Sequence, residues 1–293
     1  MDVAVRQIKG ASPLRYPGGK SALTDFIAEI IDSLCLDDAT YVEPYAGGAG
    51  AALALLDRGA VAKVVINDLD PAIYSFWEAV VNHNESFLEL FDSVPITLDE
   101  WDRQKAIYRV KDVGDPVSLG FATYFLNRTN RSGVLNAGVI GGRQQAGAYR
   151  VGARFNKEAL RPRLAWIGEK REHIKVTNVD GLQCIEANIG RPGTFIYADP
   201  PYFDKGSYLY LNAFGPDDHK CLAALLRCYP TAPWLLSYDL APEIVKLYTE
   251  FSQRPLALNY SAHRTGTMNE LVVVSKAVAP LVGQFDFSIP VQP

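Results

Sequence analysis

The chain has 293 residues, 48% of them hydrophobic and 21% charged, an ordinary globular composition that suits one large α/β domain or a domain with a sizeable insertion. No run of eighteen apolar residues occurs, and the opening MDVAVRQIKG lacks an apolar stretch followed by a cleavage site, so neither a membrane span nor a secretory signal is expected. The net charge of −4 argues weakly against a nucleic-acid partner.

In chain order, strand-like and helix-like segments alternate, which predicts an open, mostly parallel sheet with helices on both faces. Residues 22–34 carry Leu23, Phe26, Ile27, Ile30, Ile31 and Leu34 at helical spacing. Cys35 follows; it, Cys184, Cys221 and Cys228 show no CxxC spacing, and the four histidines are scattered. We therefore expect reduced thiols in a cytoplasmic protein, with neither a zinc site nor a disulfide frame. A short strand at Tyr41–Glu43 leads to the glycine run at 46–50 and an apolar helix, Ala51–Leu56. A second strand, Val61–Asn67, ends at Asp68, and Asp70-Pro71 opens a helix as cap and first-turn proline. Thr97-Leu98-Asp99-Glu100 has the capping-box pattern, and helical sequence continues to about Asn127.

Residues 130–155 are rich in glycine, with scattered Arg, Asn and Gln, too long and irregular for an ordinary connection. From Arg128 to Lys175 there are eleven Lys and Arg against three Asp and Glu. A basic segment on an acidic body suits a protein that holds phosphates with one part only, although a solvated surface has the same composition. Later strands are expected at Lys175–Val179, Thr194–Ala198, Trp234–Tyr238 and Leu271–Ser275, with helices at Asp217–Leu226 and Pro242–Phe251.

The sharpest signal is Asp199-Pro200-Pro201-Tyr202, directly after the strand Phe195–Ala198. It lies at a strand's carboxyl end, where open α/β sheets bind ligands. An aryl amine is a poor nucleophile because its lone pair is delocalised into the ring. Two acceptors binding both N–H groups would turn that lone pair outward and stabilise the charge that develops during transfer. The Asp199 carboxylate and the Pro200 carbonyl are suitable acceptors, and Tyr202 offers an aromatic face to an extruded base. The second signal is Glu43-Pro44-Tyr45-Ala46-Gly47-Gly48-Ala49-Gly50, whose glycines admit a ligand close to the backbone. A nicotinamide fingerprint would need Gly where Leu53 stands, while Asp68, ending the next strand, can accept from ribose hydroxyls. The third is Pro13-Leu14-Arg15-Tyr16-Pro17-Gly18-Gly19-Lys20-Ser21, which fails as a P-loop because Leu14 occupies a required glycine position.

Together, in this order, the three segments resemble the Dam-like family of DNA adenine methyltransferases. That family opens with a WxGGK or YPGGK segment, continues with an EPFxGxG-like cofactor loop and ends its catalytic strand with DPPY. The resemblance runs from Leu14 to about Lys276. It implies an α/β fold: a Rossmann-like S-adenosylmethionine-dependent methyltransferase sheet with an inserted, mainly helical target-recognition domain. Residues 1–76 and 173–293 would form the catalytic domain and 77–172 the insertion. The implied activity is site-specific methyl transfer from S-adenosylmethionine to the exocyclic amine of a flipped adenine in double-stranded DNA. Asp199, Pro200 and Tyr202 would be the catalytic set. Tyr16, Lys20, Glu43, Gly47, Asp68, Asp180 and Asp199 would hold the cofactor.

In the basic segment Asn127, Arg128, Arg131, Arg143 and Arg150 are the expected DNA contacts, by base edge or by phosphate. Asn127 and Arg128 would equally serve as structural caps near a helix end. Asn127-Arg128-Thr129-Asn130-Arg131-Ser132-Gly133 keeps the family's Asn-Arg pair but not the Phe-Asn-Gly that often follows, so the recognised sequence is not carried over. Tyr16 stands where several members have Trp, a conservative change for stacking. Alternatives are cytosine-N4 methylation, methylation of RNA or a protein amide, and a non-catalytic DNA-binding descendant. We expect a monomer; a subunit of a restriction or defence assembly is the alternative.

Overall fold

The computed structural model describes residues 12–15, 23–203, 214–260 and 266–282. Seven strands form one sheet: β1 (Thr40–Glu43), β2 (Lys63–Asn67), β3 (Ile174–Thr177), β4 (Thr194–Ala198), β5 (Trp234–Asp239), β6 (Ser252–Tyr260) and β7 (Gly266–Val274). Their spatial order is β3-β2-β1-β4-β5-β7-β6. The first five are parallel, β7 runs antiparallel to β5, and β6 pairs antiparallel with β7 at the edge. From β1 the chain steps outward to β2 and β3, then returns to lay β4 on the other side of β1. The carboxyl ends of β1 and β4 therefore flank a topological switch point, the place where open α/β sheets bind ligands.

The central strands are apolar at almost every position because both sheet faces are covered. Side chains alternate, so Tyr41, Val64, Ile66, Phe195, Tyr197 and Leu235 enter one core while Val42, Val65, Ile196, Ala198 and Leu236 enter the other. The second core is closed by α8 (Gly181–Asn188), α9 (Pro216–Cys228) and α10 (Pro242–Leu247). The first is closed by α1 (Thr24–Ser33), α2 (Gly50–Asp57) and α3 (Pro71–Asn82), and it continues without a break into the helices that follow α3.

Those helices are α4 (Asn84–Ser93), α5 (Leu98–Val110), α6 (Pro116–Thr129) and α7 (Lys157–Glu169). Side-chain caps fix the starts of the last three, Thr97 for α5, Asp115 for α6 and Asn156 for α7. An aromatic cluster joins α3 to α4 and α6: Phe76 stacks on Tyr124, with Phe87 edge-on to both. The sequence boundary at residue 77 thus falls inside α3, and the helical segment shares a core with the sheet. A last short helix, α11 (Ala279–Val282), follows β7.

The fold differs from the expected elements in two places. The helix expected from Thr97 to Asn127 is two helices, because Lys111 takes a left-handed backbone conformation (φ 53°) and Pro116 restarts the chain. The helix expected over 242–251 stops at Leu247, so that residues 252–260 can pair as β6, a strand the sequence pattern does not announce.

Candidate active site

The glycine loop after β1 is held from outside. The Gly47 N–H donates to Asp68 Oδ2 at 2.9 Å, the buried Trp77 indole donates to the Gly47 carbonyl at 2.9 Å, and the Ser12 hydroxyl donates to the Gly48 carbonyl. Asn67, fully buried at the end of β2, donates to the carbonyls of Pro44 (2.8 Å) and Val179 (3.0 Å). Its amide oxygen accepts from the Thr177 hydroxyl and the Val179 N–H. One amide thereby ties the ends of β1, β2 and β3 together, and all four of its strongest bonding directions are used.

Three acids stand at the ends of β1 and β2 and in the loop after β3. Glu43 is buried, and its Oε1 accepts from the Ala52 N–H at 3.0 Å, which caps the first turn of α2 from a distance. Burial pushes the Glu43 carboxyl up to about 8; the Ala52 N–H opposes the rise and the Asp199 charge adds to it. Asp68 also accepts from the Asp70 N–H at 2.9 Å, and its carboxyl is pushed up to about 7, chiefly by burial. Asp180 caps α8 through the Leu182 N–H at 2.8 Å. Gly181 allows the Tyr45 ring to lie against the start of that helix, where an added Cβ would come within 2.2 Å of the ring. The apolar side chains of Leu69 and Val179, at the same edge, are exposed.

The turn after β4 is tethered to the strands beside it. Ser237 donates to Asp199 Oδ1 at 2.8 Å, Tyr202 donates its hydroxyl to Glu270 at 2.6 Å, and the Phe203 N–H donates to Asp239 at 3.0 Å. Pro200, Tyr202 and Glu270 are buried, and Asp199 is partly exposed. Near the turn, His219 is enclosed by Phe203, Phe214 and Tyr238, with its Nδ1 2.6 Å from the Tyr238 hydroxyl. Tyr16 and Lys20 lie outside the described residues.

The segment just before Tyr16 is clamped to the end of α6. Asn127 is buried, and its amide accepts from the Arg15 N–H (2.7 Å) while donating to the carbonyls of Arg15 and Gly133. Arg128 reaches the carbonyls of Arg154 (2.8 Å) and Pro13 (3.3 Å), and Arg15 donates to the Asn130 carbonyl at 3.1 Å. Burial lowers the Arg128 guanidinium to about 10, with repulsion from Arg15, Arg163 and Arg154 adding; Arg15 is lowered by burial and by Arg154. Four arginines therefore share one neighbourhood. Arg143 pairs with Asp102 at 2.6 Å above the Trp101 ring, while Arg131 and Arg150 are exposed. Gln145 knits the 140–151 loop by donating to the carbonyls of Ile140 and Gly142 and accepting from the Val151 N–H.

The family model for D12 class N6 adenine-specific DNA methyltransferases matches residues 16–262. The chain belongs to this family. M.MjaIII, a type II methyltransferase of Methanocaldococcus jannaschii, is 24% identical over 202 residues, covering 64% of this chain and 68% of that one. The solved rRNA methyltransferase aviRa from Streptomyces viridochromogenes covers 87% of this chain and 86% of its own at 13% identity, with a TM-score of 0.31, too slight a likeness to argue from. A D12-class enzyme methylates the N6 amine of adenine in DNA and depends on S-adenosylmethionine, and the sheet with its flanking helices is the Rossmann-like scaffold of that chemistry. Among the described residues no helix is long and apolar enough to cross a membrane.

The glycine loop and the Asp199–Tyr202 turn of this D12-class chain fall at the carboxyl edge of the sheet, and Pro13 and Arg15, in the described part of the third motif, bond to the end of α6. Sequence reading missed Asn67, Trp77, Ser237 and Glu270, which hold those motifs from neighbouring elements. It also missed Arg15, which joins Arg128 and Arg154.

Proposed function

We propose that the crevice between the ends of β1 and β4 is the methyl-transfer site, with Asp199, Pro200 and Tyr202 as its catalytic set. The observation that carries this reading is the tethered Asp199–Tyr202 turn at the topological switch point, on the strand next to the one that leads into the glycine loop. S-adenosylmethionine supplies, when bound, a methyl group activated on a sulfonium. Glu43, Gly47, Asp68 and Asp180, with Tyr16 and Lys20, would hold it. The local chemistry fits such a ligand: a glycine loop held open from behind, acids at the ends of β1 and β2, and exposed Leu69 and Val179 as apolar cover for a purine. Asp68 would accept from ribose hydroxyls with the lone pairs its two N–H partners leave over.

Asp199 and the Pro200 carbonyl would each accept one N–H of the target amine, turning its lone pair toward the methyl group and stabilising the positive charge that develops. The methylated ammonium is acidic, so proton loss follows transfer rather than preceding it. Reaching the amine requires extrusion of the adenine from the duplex, and the Tyr202 ring would stack on it.

Residues 77–172 would act as the target-recognition segment. Arg15, Arg128 and Arg154 form a cationic group suited to backbone phosphate, while the exposed Arg131 and Arg150, and Arg143 on release from Asp102, would reach base edges or further phosphates. Asn127 would serve DNA binding indirectly, by holding Arg15 and the segment that leads to Tyr16. The working form would be a cytoplasmic monomer, with or without a restriction or defence partner. Methylating a mixed-sequence plasmid and mapping the modified positions tests the recognition role. Modification at one recurring short sequence is expected, relaxing in Arg→Ala variants at 131, 143 or 150. Site choice and DNA affinity both unchanged in all three variants would give the segment another role.

A further inference from the structure

Asp199 lies one residue past Ala198, which stands opposite Leu236 in the β4–β5 register, so its neighbour across the strands is Ser237. Side chains alternate along a strand, and Tyr197, Asp199 and Ser237 therefore project from the face that carries Phe195 and Leu235. The Ser237 hydroxyl donates to Asp199 Oδ1, and the Tyr197 hydroxyl lies 2.8 Å from Ser237 Oγ. A serine hydroxyl has one proton to give. With that proton directed at Asp199, Tyr197 is the donor to Ser237, and the chain of hydroxyls has a single direction.

Both hydroxyl residues are deep in the sheet, Ser237 at 0% exposure and Tyr197 at 3%, and the Tyr197 ring stacks on Tyr41 at a centroid distance of 6.4 Å. Burial holds the Tyr197 phenol well above its ordinary range, with the Asp199 charge adding, so it stays protonated and remains a donor.

We propose that Tyr197 and Ser237 are positioning residues for methyl transfer, a directed hydroxyl chain that fixes the rotation of the Asp199 carboxylate and keeps it an anionic acceptor for the target amine. This rests on the role proposed for Asp199. The terminal torsion of an aspartate is broad, whereas transfer needs the amine held in a near-attack geometry. In a poorly solvated site each donor in such a chain polarises the next. No proton is consumed: the hydroxyls orient and stabilise charge, and the methyl group passes from sulfonium to amine without them. Among the described residues, Tyr41 and Glu43 on β1, Tyr197 on β4 and Tyr238 on β5 sense the Asp199 charge, and Ser237→Ala leaves all four in place.

The test uses the full chain with S-adenosylmethionine and plasmid DNA, comparing Ser237→Ala, Ser237→Thr, Tyr197→Phe and the Ser237→Ala/Tyr197→Phe double variant. Ser237→Ala should lower kcat about 10-fold or more with both KM values nearly unchanged, and should move the acidic limb of the pH profile upward. Ser237→Thr, which keeps the hydroxyl, should recover most of the rate. The double variant should be no slower than Ser237→Ala alone, because the two residues act in series. Wild-type kcat and acidic limb in Ser237→Ala would overturn the proposal, as would additive losses or a threonine variant as impaired as alanine. If the wild-type chain methylates no DNA base, the methylation reading fails, and carbon-13 NMR titration of the Asp199 carboxyl then decides the chain. An upward shift in Ser237→Ala supports it, and an unchanged titration overturns it.

Discussion

Glu43 ends β1 with its carboxyl buried and one oxygen on the Ala52 N–H. Its folded form keeps a proton up to about 8, whereas an unfolded glutamate loses it near 4.3. Between these values unfolding releases a proton, so stability falls as pH rises, by at most about 1.4 kcal/mol per pH unit for this one group. The contribution is complete below the unfolded value and gone above about 8. Glu43→Gln keeps an acceptor for Ala52 and removes the titration. Urea midpoints from pH 5 to pH 8.5 should therefore fall more steeply in the wild-type chain than in Glu43→Gln, with a residual slope in both from Asp68, whose carboxyl is raised to about 7. Parallel curves would show that Glu43 is ionised in the folded protein.

Glu43, Asp68, Asp180 and Asp199 were legible in the sequence because each ends a strand-like segment before glycine, proline or a helix start. Ser237 and Glu270 were not, since their partners stand 38 and 68 residues away and no local periodicity encodes that meeting. Asn67 looked like an ordinary strand end, and only the folded sheet reveals that its amide joins three loops.

Among the elements, the parallel strands were the most legible, being short apolar runs between turn signals. β6 was hidden because Ser252–Tyr260 contains Pro255 and has no clean alternation; its pairing with β7 makes it a strand, and a proline is tolerated at that edge position. The break between α5 and α6 was written in Gly114 and Pro116 but was masked by continuous helical periodicity around it. The clamp between α6 and the N-terminal segment depends on Gly133, which has φ +76° and whose added Cβ would lie 2.4 Å from the Arg15 carbonyl oxygen. Gly133→Ala should cost about 1–3 kcal/mol of stability through backbone strain. It should also weaken S-adenosylmethionine binding, since Tyr16 and Lys20 follow Arg15. Denaturant unfolding and calorimetric titration measure the two effects, and an alanine variant with wild-type midpoint and affinity would show that the clamp is dispensable.

At the scale of the whole molecule, charge is segregated: a net −4 chain gathers eleven Lys and Arg against three acids between Arg128 and Lys175. The fold concentrates this further by bringing Arg15 to Arg128, Arg154 and Arg163, a meeting that composition cannot show because Arg15 lies more than a hundred residues away. Carbonyl partners hold Arg15 and Arg128 there against the repulsion, and neutralising phosphate is the relief DNA would provide. Arg15→Ala and Arg128→Ala should each reduce the slope of log affinity against log salt by about 1, with weakening that is uniform across DNA sequences. A slope equal to that of the wild-type chain in both variants would remove the phosphate role.

The most direct test of methyl transfer at the Asp199 turn is nucleoside analysis of plasmid DNA incubated with labelled S-adenosylmethionine and either the wild-type chain or Asp199→Ala. The account predicts N6-methyladenine from the wild-type chain and a rate lower by about 100-fold or more from the variant, the loss expected when a group that stabilises transition-state charge is removed. Methylcytosine in place of methyladenine, or undiminished turnover by Asp199→Ala, would contradict it.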